Sequence, residues 1–433
     1  MIKNILVIIP VSLVGVIITI LLQVFNFFEY NLLVLQLFKY SSIFFYIMAV
    51  FFCYIKRAEK FSLGLIAAFV FSLFLGGPAV YLLIYKDLVV NFQVVLILII
   101  QISTLIYFLD EPINSNKNDF ILTKAFYFLF FIVFLCQAYK IIIYLIFILN
   151  SGLGHLAIYI EGDALRDNVP LIVRGISGFS IIISMMTFFY PSSKSIKVIS
   201  IIMVLSDMAI GIRGKFFFSA ISILFLFAYI NKTKAVSFFT FATGVIPIIT
   251  LFITLSVVSY FREGYTIDFY SYIFIVLDSI SSTIAGLERL YMISGEWWDK
   301  YFSYQMVFDQ ILPILGFNNL EGNGIAKVYS LLVLGNISNG IGLSSSIVLE
   351  SIVIMGELFP ILLLMYLMLF ILFIPYLLSS NKAVINVIGL SLISGFLFSA
   401  RAEMVLPLVY FIKFSPVIIC APFLVYKKEE VHE

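Results

Sequence analysis

Long uninterrupted apolar runs constrain this chain more than any other feature. A run of about twenty apolar residues is the length that carries a helix across a bilayer. Twelve such spans can be marked, at about 5–25, 31–55, 61–85, 88–109, 125–149, 171–190, 197–211, 216–230, 235–258, 351–378, 384–399 and 404–425. Spans seven, eight and eleven are short, which fits local thinning of the bilayer or partial burial. The runs do not alternate with period two over about ten residues, so an outer-membrane barrel is excluded. Composition agrees: 63% of residues are hydrophobic and 12% charged, against about 25% charged in soluble domains. The expected fold is an all-α polytopic membrane protein, a single integral membrane domain over residues 1–433. The first run, Ile5 to Phe25, is too long for a signal-peptide core and reads as a retained helix.

One stretch breaks the pattern. Residues 259–350 hold Arg262, Arg289, the pair Trp297–Trp298 and a Gly/Asn-rich tail. This is the large loop expected between spans nine and ten. Within it, Leu277, Ile280, Ile284, Leu287 and Tyr291 recur at helical spacing, the pattern of an amphipathic helix lying on a membrane surface. The two tryptophans suit the aromatic interface belt.

Orientation follows from the short loops. With the N-terminus inside, the cytoplasmic turns are KRAEK (56–60), DEPINSNKNDFILTK (110–124), PSSKSIK (191–197), NKTK (231–234), SSNK (379–382) and the tail YKKEEVHE. Their positive charge is almost all lysine. Twelve spans place both termini in the cytoplasm and the 259–350 loop outside. Arginine behaves differently. Of Arg57, Arg166, Arg174, Arg213, Arg262, Arg289 and Arg401, only Arg57 falls on the inner side. Arginine grips phosphate with two parallel hydrogen bonds, so an anionic ligand at the outer face is expected. Pairing with outer carboxylates such as Glu161, Asp163, Glu263, Glu288 and Glu403 is the structural alternative.

Several residues stand out as candidates. Arg213 and Lys215 occupy the tight turn between spans seven and eight, as a phosphate clamp or as snorkelling anchors. The loop between spans five and six carries His155, Arg166 and Arg174. His155 titrates near neutral pH and is a candidate base or an exposed structural residue. Ser346, Glu350 and Glu357 share a helical face at the start of span ten. Glu350 is the favoured base, with helix-end electrostatics as the alternative, and Glu357 is the deeper candidate. Arg401 and Glu403 join spans eleven and twelve and suit an interfacial ion pair. Lys140, Asp207 and Lys413 fall inside spans, where charges face the bundle and pair; sequence leaves their partners open. Cys53, Cys136 and Cys420 sit in apolar runs as packing residues. No metal or nucleotide motif is present, and a net charge of +2 gives no sign of nucleic-acid binding.

GIRGK (211–215), FREG (261–264) opening the large outer loop, and NGIGLSSSIVLESIVIMGELFP (339–360) resemble the O-antigen polymerase family of the Wzy type, the oligosaccharide repeat unit polymerases. The Arg–x10–Gly motif of some members is not matched at Arg166 or Arg262. The resemblance implies a metal-independent inverting glycosyltransferase of the bacterial inner membrane, working on its periplasmic side without a cofactor. It would pass a growing glycan from one undecaprenyl pyrophosphate carrier to a repeat unit on another. Arg213, Lys215, Arg262, Arg174, Arg289, Arg166 and Arg401 would bind substrate, and Glu350, His155 or Glu357 would supply the base. Membrane lipid and a polysaccharide chain-length regulator are the further partners implied. A lipid-linked oligosaccharide flippase and an O-antigen ligase are the competing readings.

Overall fold

The computed structural model describes residues 63–86, 120–152, 165, 167–209, 213–230, 345–355 and 358–427. Expected spans one, two, four and nine, and the 259–350 stretch before residue 345, lie outside the described residues. What is described is mostly helical. In chain order it comprises α1 (Leu63–Phe71), a π-helical turn (Ser72–Gly76), α2 (Gly77–Lys86), β1 (Phe120–Leu122), α3 (Lys124–Asn150), α4 (Leu171–Ser177) and α5 (Ser180–Phe189). Then come α6 (Lys194–Ala209), α7 (Arg213–Ile230), α8 (Ile347–Met355), α9 (Phe359–Leu378), α10 (Ala383–Phe398), α11 (Leu406–Lys413), α12 (Ser415–Leu424) and β2 (Val425–Lys427).

Among the described residues, three stretches are long and apolar enough to cross a membrane: Lys124–Asn150, Leu171–Phe189 and Phe359–Leu378. The pair α11–α12 makes a fourth if its 52° bend lies within one span. Helix boundaries fall within a few residues of the apolar runs, because in lipid a backbone must satisfy its hydrogen bonds within its own helix.

The interruptions have local causes. Proline cannot donate to the carbonyl four residues back and crowds it. Pro78 follows the π-helical turn, and Pro416 stands in the first turn of α12, just past the bend at Phe414. Expected span ten, 351–378, is not one helix. It is α8 followed by α9, and α9 restarts with Pro360 in its first turn, where a missing N–H is harmless.

Helix α10 is the hub and touches α1, α5, α7, α9, α11 and α12. It is buried along most of its length, and small residues on it allow close neighbours. Gly395 shows why. A Cβ there would lie 2.7 Å from the Pro407 Cα and 2.9 Å from the Leu406 carbonyl oxygen. No side chain fits between α10 and the start of α11. By contrast α3 lies at the periphery, with 28% of its most apolar window buried. Phe128, Phe131, Ile142 and Leu149 on it are exposed, as lipid-facing residues are.

One end of the bundle is closed by the short antiparallel pair of β1 and β2, with Ile121 opposite Tyr426. Thr123 caps α3 by accepting from the Phe126 amide, and its hydroxyl donates to the Phe423 carbonyl at 2.7 Å. The Phe120 ring meets Tyr190 at 5.9 Å, and Asn386 lies beside Tyr190. Residues 120–124, the turn after α5, the start of α10 and the chain's last described residues therefore share one end. These are four of the lysine-bearing segments expected on a common side.

Within the apolar layer, Lys140 of α3 donates to Asp207 of α6 at 3.0 Å. Gln137, one turn earlier, donates to the same Asp207 oxygen at 3.0 Å and to Ser206 at 3.1 Å. Lys140 lies about 24 Å along α3 from its start at 1.5 Å per residue, deep in the layer. This pairs two of the three intramembrane charges. The third, Lys413 at the end of α11, packs on Gly178, where an added Cβ would come 3.0 Å from the lysine Cε.

Breaking a buried pair leaves one charge without compensation, which costs about 3–5 kcal/mol. Lys140→Met is therefore expected to lower the melting temperature of the purified protein sharply. The double replacement Lys140→Met with Asp207→Leu is expected to recover most of the loss. Thermal melts of the single and double variants in detergent check this; a stable single variant would show that the pair does not hold α3 to α6.

Candidate functional site

At the other end of the bundle, three segments are tied together around one carboxylate. Ser346 caps α8 by accepting from the Leu349 amide at 3.2 Å, which puts Glu350 in the first turn, where a helix favours negative charge. Glu350 is 2% exposed, and both its oxygens are occupied. Oε1 accepts from the Ser345 hydroxyl at 2.8 Å, and Oε2 accepts from the Met404 backbone N–H at 2.7 Å. The second bond crosses from α8 to the turn between α10 and α11.

That turn is built by its own backbone first. Ala400 and Arg401 donate to Leu397 and Phe398, three residues back, tightening the end of α10 as helix ends often do. The Leu406 amide donates to the Glu403 carbonyl as α11 begins. Three further bonds fix it from outside. Ile347 N–H donates to the Ser399 carbonyl at 3.0 Å, Met404 N–H to Glu350, and the Tyr366 hydroxyl of α9 to the Met404 carbonyl at 3.1 Å. Both limbs of the turn are thus held, while Arg401, Ala402 and Glu403 at its tip are only half-buried.

An aromatic stack backs the tip. The Arg401 guanidinium lies 6.0 Å from the centre of the Phe74 ring, at the outer range of a cation–π contact. Phe74 meets Phe217 edge-on at 5.1 Å and Phe218 at 5.0 Å, and Phe218 stacks on Phe398 at 4.6 Å. Phe217 and Phe218 follow within two turns of the start of α7, so the first turn of α7, which contains Arg213 and Lys215, lies at this end too. The Glu350 and Glu403 carboxyls are close enough to repel each other. Burial pushes the Glu403 carboxyl above its ordinary value. Among the described residues, no hydrogen bond or ion pair engages the Glu403 carboxylate.

The candidates drawn from sequence divide three ways. Glu350, Arg401 and the first turn of α7 come together. Arg174 lies in the last turn of α4, half-buried, its Nε enclosed without a hydrogen-bond partner; no contact described here joins it to the Glu350 cluster. His155, Arg166, Arg262, Arg289 and Glu357 lie outside the described residues. Among the described residues, no group of His, Cys, Asp or Glu is arranged to hold a metal ion. Sequence reasoning missed Ser345, Tyr366 and the Met404 amide. Ser345 stands in the Ser-rich motif at 344–346, but a tyrosine and a backbone N–H carry no local signal.

Chemically, the arrangement offers a half-buried carboxylate, Glu403, two residues from Arg401 on a turn held at both limbs. It can accept a proton and bind an anion within one small region. No family model, no curated protein and no solved structure matches this chain.

Proposed function

We propose that this chain is a polymerase of oligosaccharide repeat units carried on undecaprenyl pyrophosphate, acting at the outer face of the bacterial inner membrane with both termini in the cytoplasm. The observation that carries the reading is the placing of arginine, together with Lys215, away from the lysine-bearing end. Lys124, Lys194, Lys197, Lys382 and Lys427 accompany the end closed by the strand pair. Arg401 and the Arg213 turn accompany the end that holds Glu350. The positive-inside rule accounts for the lysines and leaves the arginines to be explained by a ligand. A lipid pyrophosphate matches their two-pronged geometry. It also brings an activated donor to a compartment without nucleotide sugars.

In this reading Arg213 and Arg262 hold the donor pyrophosphate, with Lys215, Arg174, Arg289, Arg166 and Arg401 contributing to carrier or glycan binding. A carboxylate of the Glu350–Glu403 pair takes the acceptor proton, and His155 and Glu357 are the further candidates. The buried Lys140–Asp207 pair favours a second reading, a lipid-linked oligosaccharide flippase, since intramembrane charges often mark transport pathways.

Product analysis separates the two. Full-length protein in lipid nanodiscs, given undecaprenyl-pyrophosphate-linked repeat units, is expected to yield a ladder of chain lengths; a flippase yields none. Arg213→Ala is expected to lower the ladder-forming rate at least tenfold, since hydrogen bonds to charged groups are worth about 1.5–3 kcal/mol. Arg213→Lys is expected to restore it only in part, because lysine lacks the planar fork. Full activity in Arg213→Ala would make this residue an anchor. For orientation, a cysteine at Asn318 is expected to react in intact cells with a reagent that cannot cross the inner membrane. Reaction only after permeabilisation would place the 259–350 loop inside.

A further inference from the structure

We propose that Glu350 is a positioning residue and that Glu403 is the group that accepts the proton from the acceptor hydroxyl; this rests on the polymerase reading. Glu350 has the geometry of a tie rather than of a base. Both its oxygens are engaged, at 2.8 Å and 2.7 Å, and it is buried. A base must come within about 2.6–3.2 Å of the proton it takes, and Glu350, 2% exposed and already accepting two bonds, presents almost no surface to an acceptor sugar. What Glu350 does instead is fix the turn that carries Arg401 and Glu403. Its bond to Met404 holds the residue next to Glu403, and the Tyr366 hydroxyl holds the carbonyl of that same residue. Glu403 is then presented at the tip, half-buried, with its carboxylate not engaged by the described residues.

The step balances. The acceptor hydroxyl oxygen bonds to the anomeric carbon of the donor glycan. The bond from that carbon to the pyrophosphate oxygen breaks, and its electron pair leaves with undecaprenyl pyrophosphate. The hydroxyl proton passes to the Glu403 carboxylate and from there to water. The described charged or titratable groups around Glu403 are Arg401 on the same turn, Glu350 from α8 and Tyr366 from α9. Burial raises the Glu403 carboxyl above the ordinary glutamate range. A base works deprotonated, so the rate falls as pH drops through that raised value, and loss of this acidic limb in Glu403→Gln is what assigns it to Glu403.

Conservative replacements distinguish tie from base. In Glu350→Gln the amide oxygen can still accept from Met404 N–H. The amide nitrogen can donate to Ser345, whose hydroxyl both donates and accepts. Glutamine therefore replaces both bonds of the tie and cannot take a proton. The experiment uses full-length protein in nanodiscs and undecaprenyl-pyrophosphate-linked repeat units extracted from cells lacking this protein. It measures single-turnover bond formation against pH, and amide hydrogen exchange over residues 399–406.

Glu403→Gln is expected to lower the rate at least a hundredfold, within the range of about 10²–10⁴ for a lost base, and to abolish the acidic limb, with exchange at 399–406 unchanged. Glu350→Ala is expected to speed exchange at 399–406 and slow the reaction. Glu350→Gln is expected to restore slow exchange and bring the rate within about threefold of the wild type, acidic limb intact. A hundredfold loss in Glu350→Gln with exchange still slow returns the base to Glu350 and overturns the proposal, as does a fully active Glu403→Gln. Unchanged exchange in Glu350→Ala overturns the positioning role. If wild-type protein forms no polymer, the polymerase reading fails and takes the Glu403 assignment with it. The exchange measurements then still decide whether Glu350 holds the turn.

Discussion

A polar group in an apolar layer has no water to turn to, so its partner must be found inside the protein. Most of the specific contacts in this bundle answer that requirement. Hydroxyls of Ser177, Thr187, Ser206, Ser222, Ser351, Ser391 and Ser399 donate back to carbonyls three or four residues earlier on their own helices. Such bonds need no neighbour, though Thr187 also meets Ser200 at 2.9 Å and Ser206 also accepts from Gln137. The contacts that do join helices are fewer. Gln137 and Lys140 reach Asp207, Ser184 and Thr187 reach Ser200, Thr123 reaches the end of α12, and Glu350 and Tyr366 reach the 399–404 turn. These determine which helices stay together.

Helix α10 links the two ends. Its start lies by Tyr190, at the strand-paired end, and its last turn supplies the Ser399 carbonyl and the limb of the Arg401 turn. Because α10 is enclosed by six neighbours, with no room for a side chain at Gly395, the turn it leads into inherits the rigidity of the core. A catalytic group on such a turn is held as firmly as one on a helix, which is what proximity effects require. The aromatic stack from Phe74 through Phe218 to Phe398 extends the same support to the first turns of α7.

Apolar length was legible from sequence: α3, α4–α5, α6, α7 and α10 start and stop within a few residues of the runs. So was the presence of charges that had to pair. Breaks were less legible. Pro360 and Pro416 divide expected spans ten and twelve, yet Pro375 and Pro422 sit inside helices, so proline alone does not mark a break. Partners were not legible at all. Nothing near Lys140 in sequence points to Asp207, 67 residues on, and nothing near Glu350 points to an amide 54 residues away. Side-chain chemistry narrows the kind of partner, but only packing selects which one.

Glu350 illustrates how packing changes the meaning of a residue. On a helical wheel it is an outer-face carboxylate near a loop, a natural base. In the folded chain its two carboxyl oxygens meet a serine hydroxyl and a backbone N–H, the kind of partners a buried carboxyl requires. The acidic group left at the surface of the same cluster is Glu403, which from sequence looked like half of an ion pair with Arg401. A carboxyl that is buried and bonded to two partners stabilises the fold around it, whereas one left half-buried keeps surface at which protons can be exchanged. The two glutamates lie close enough to feel each other's charge, and burial itself makes the half-buried Glu403 a better proton acceptor. Structure and chemistry are thus divided between neighbouring side chains of the same type, and the division follows from which of them the 399–404 turn encloses.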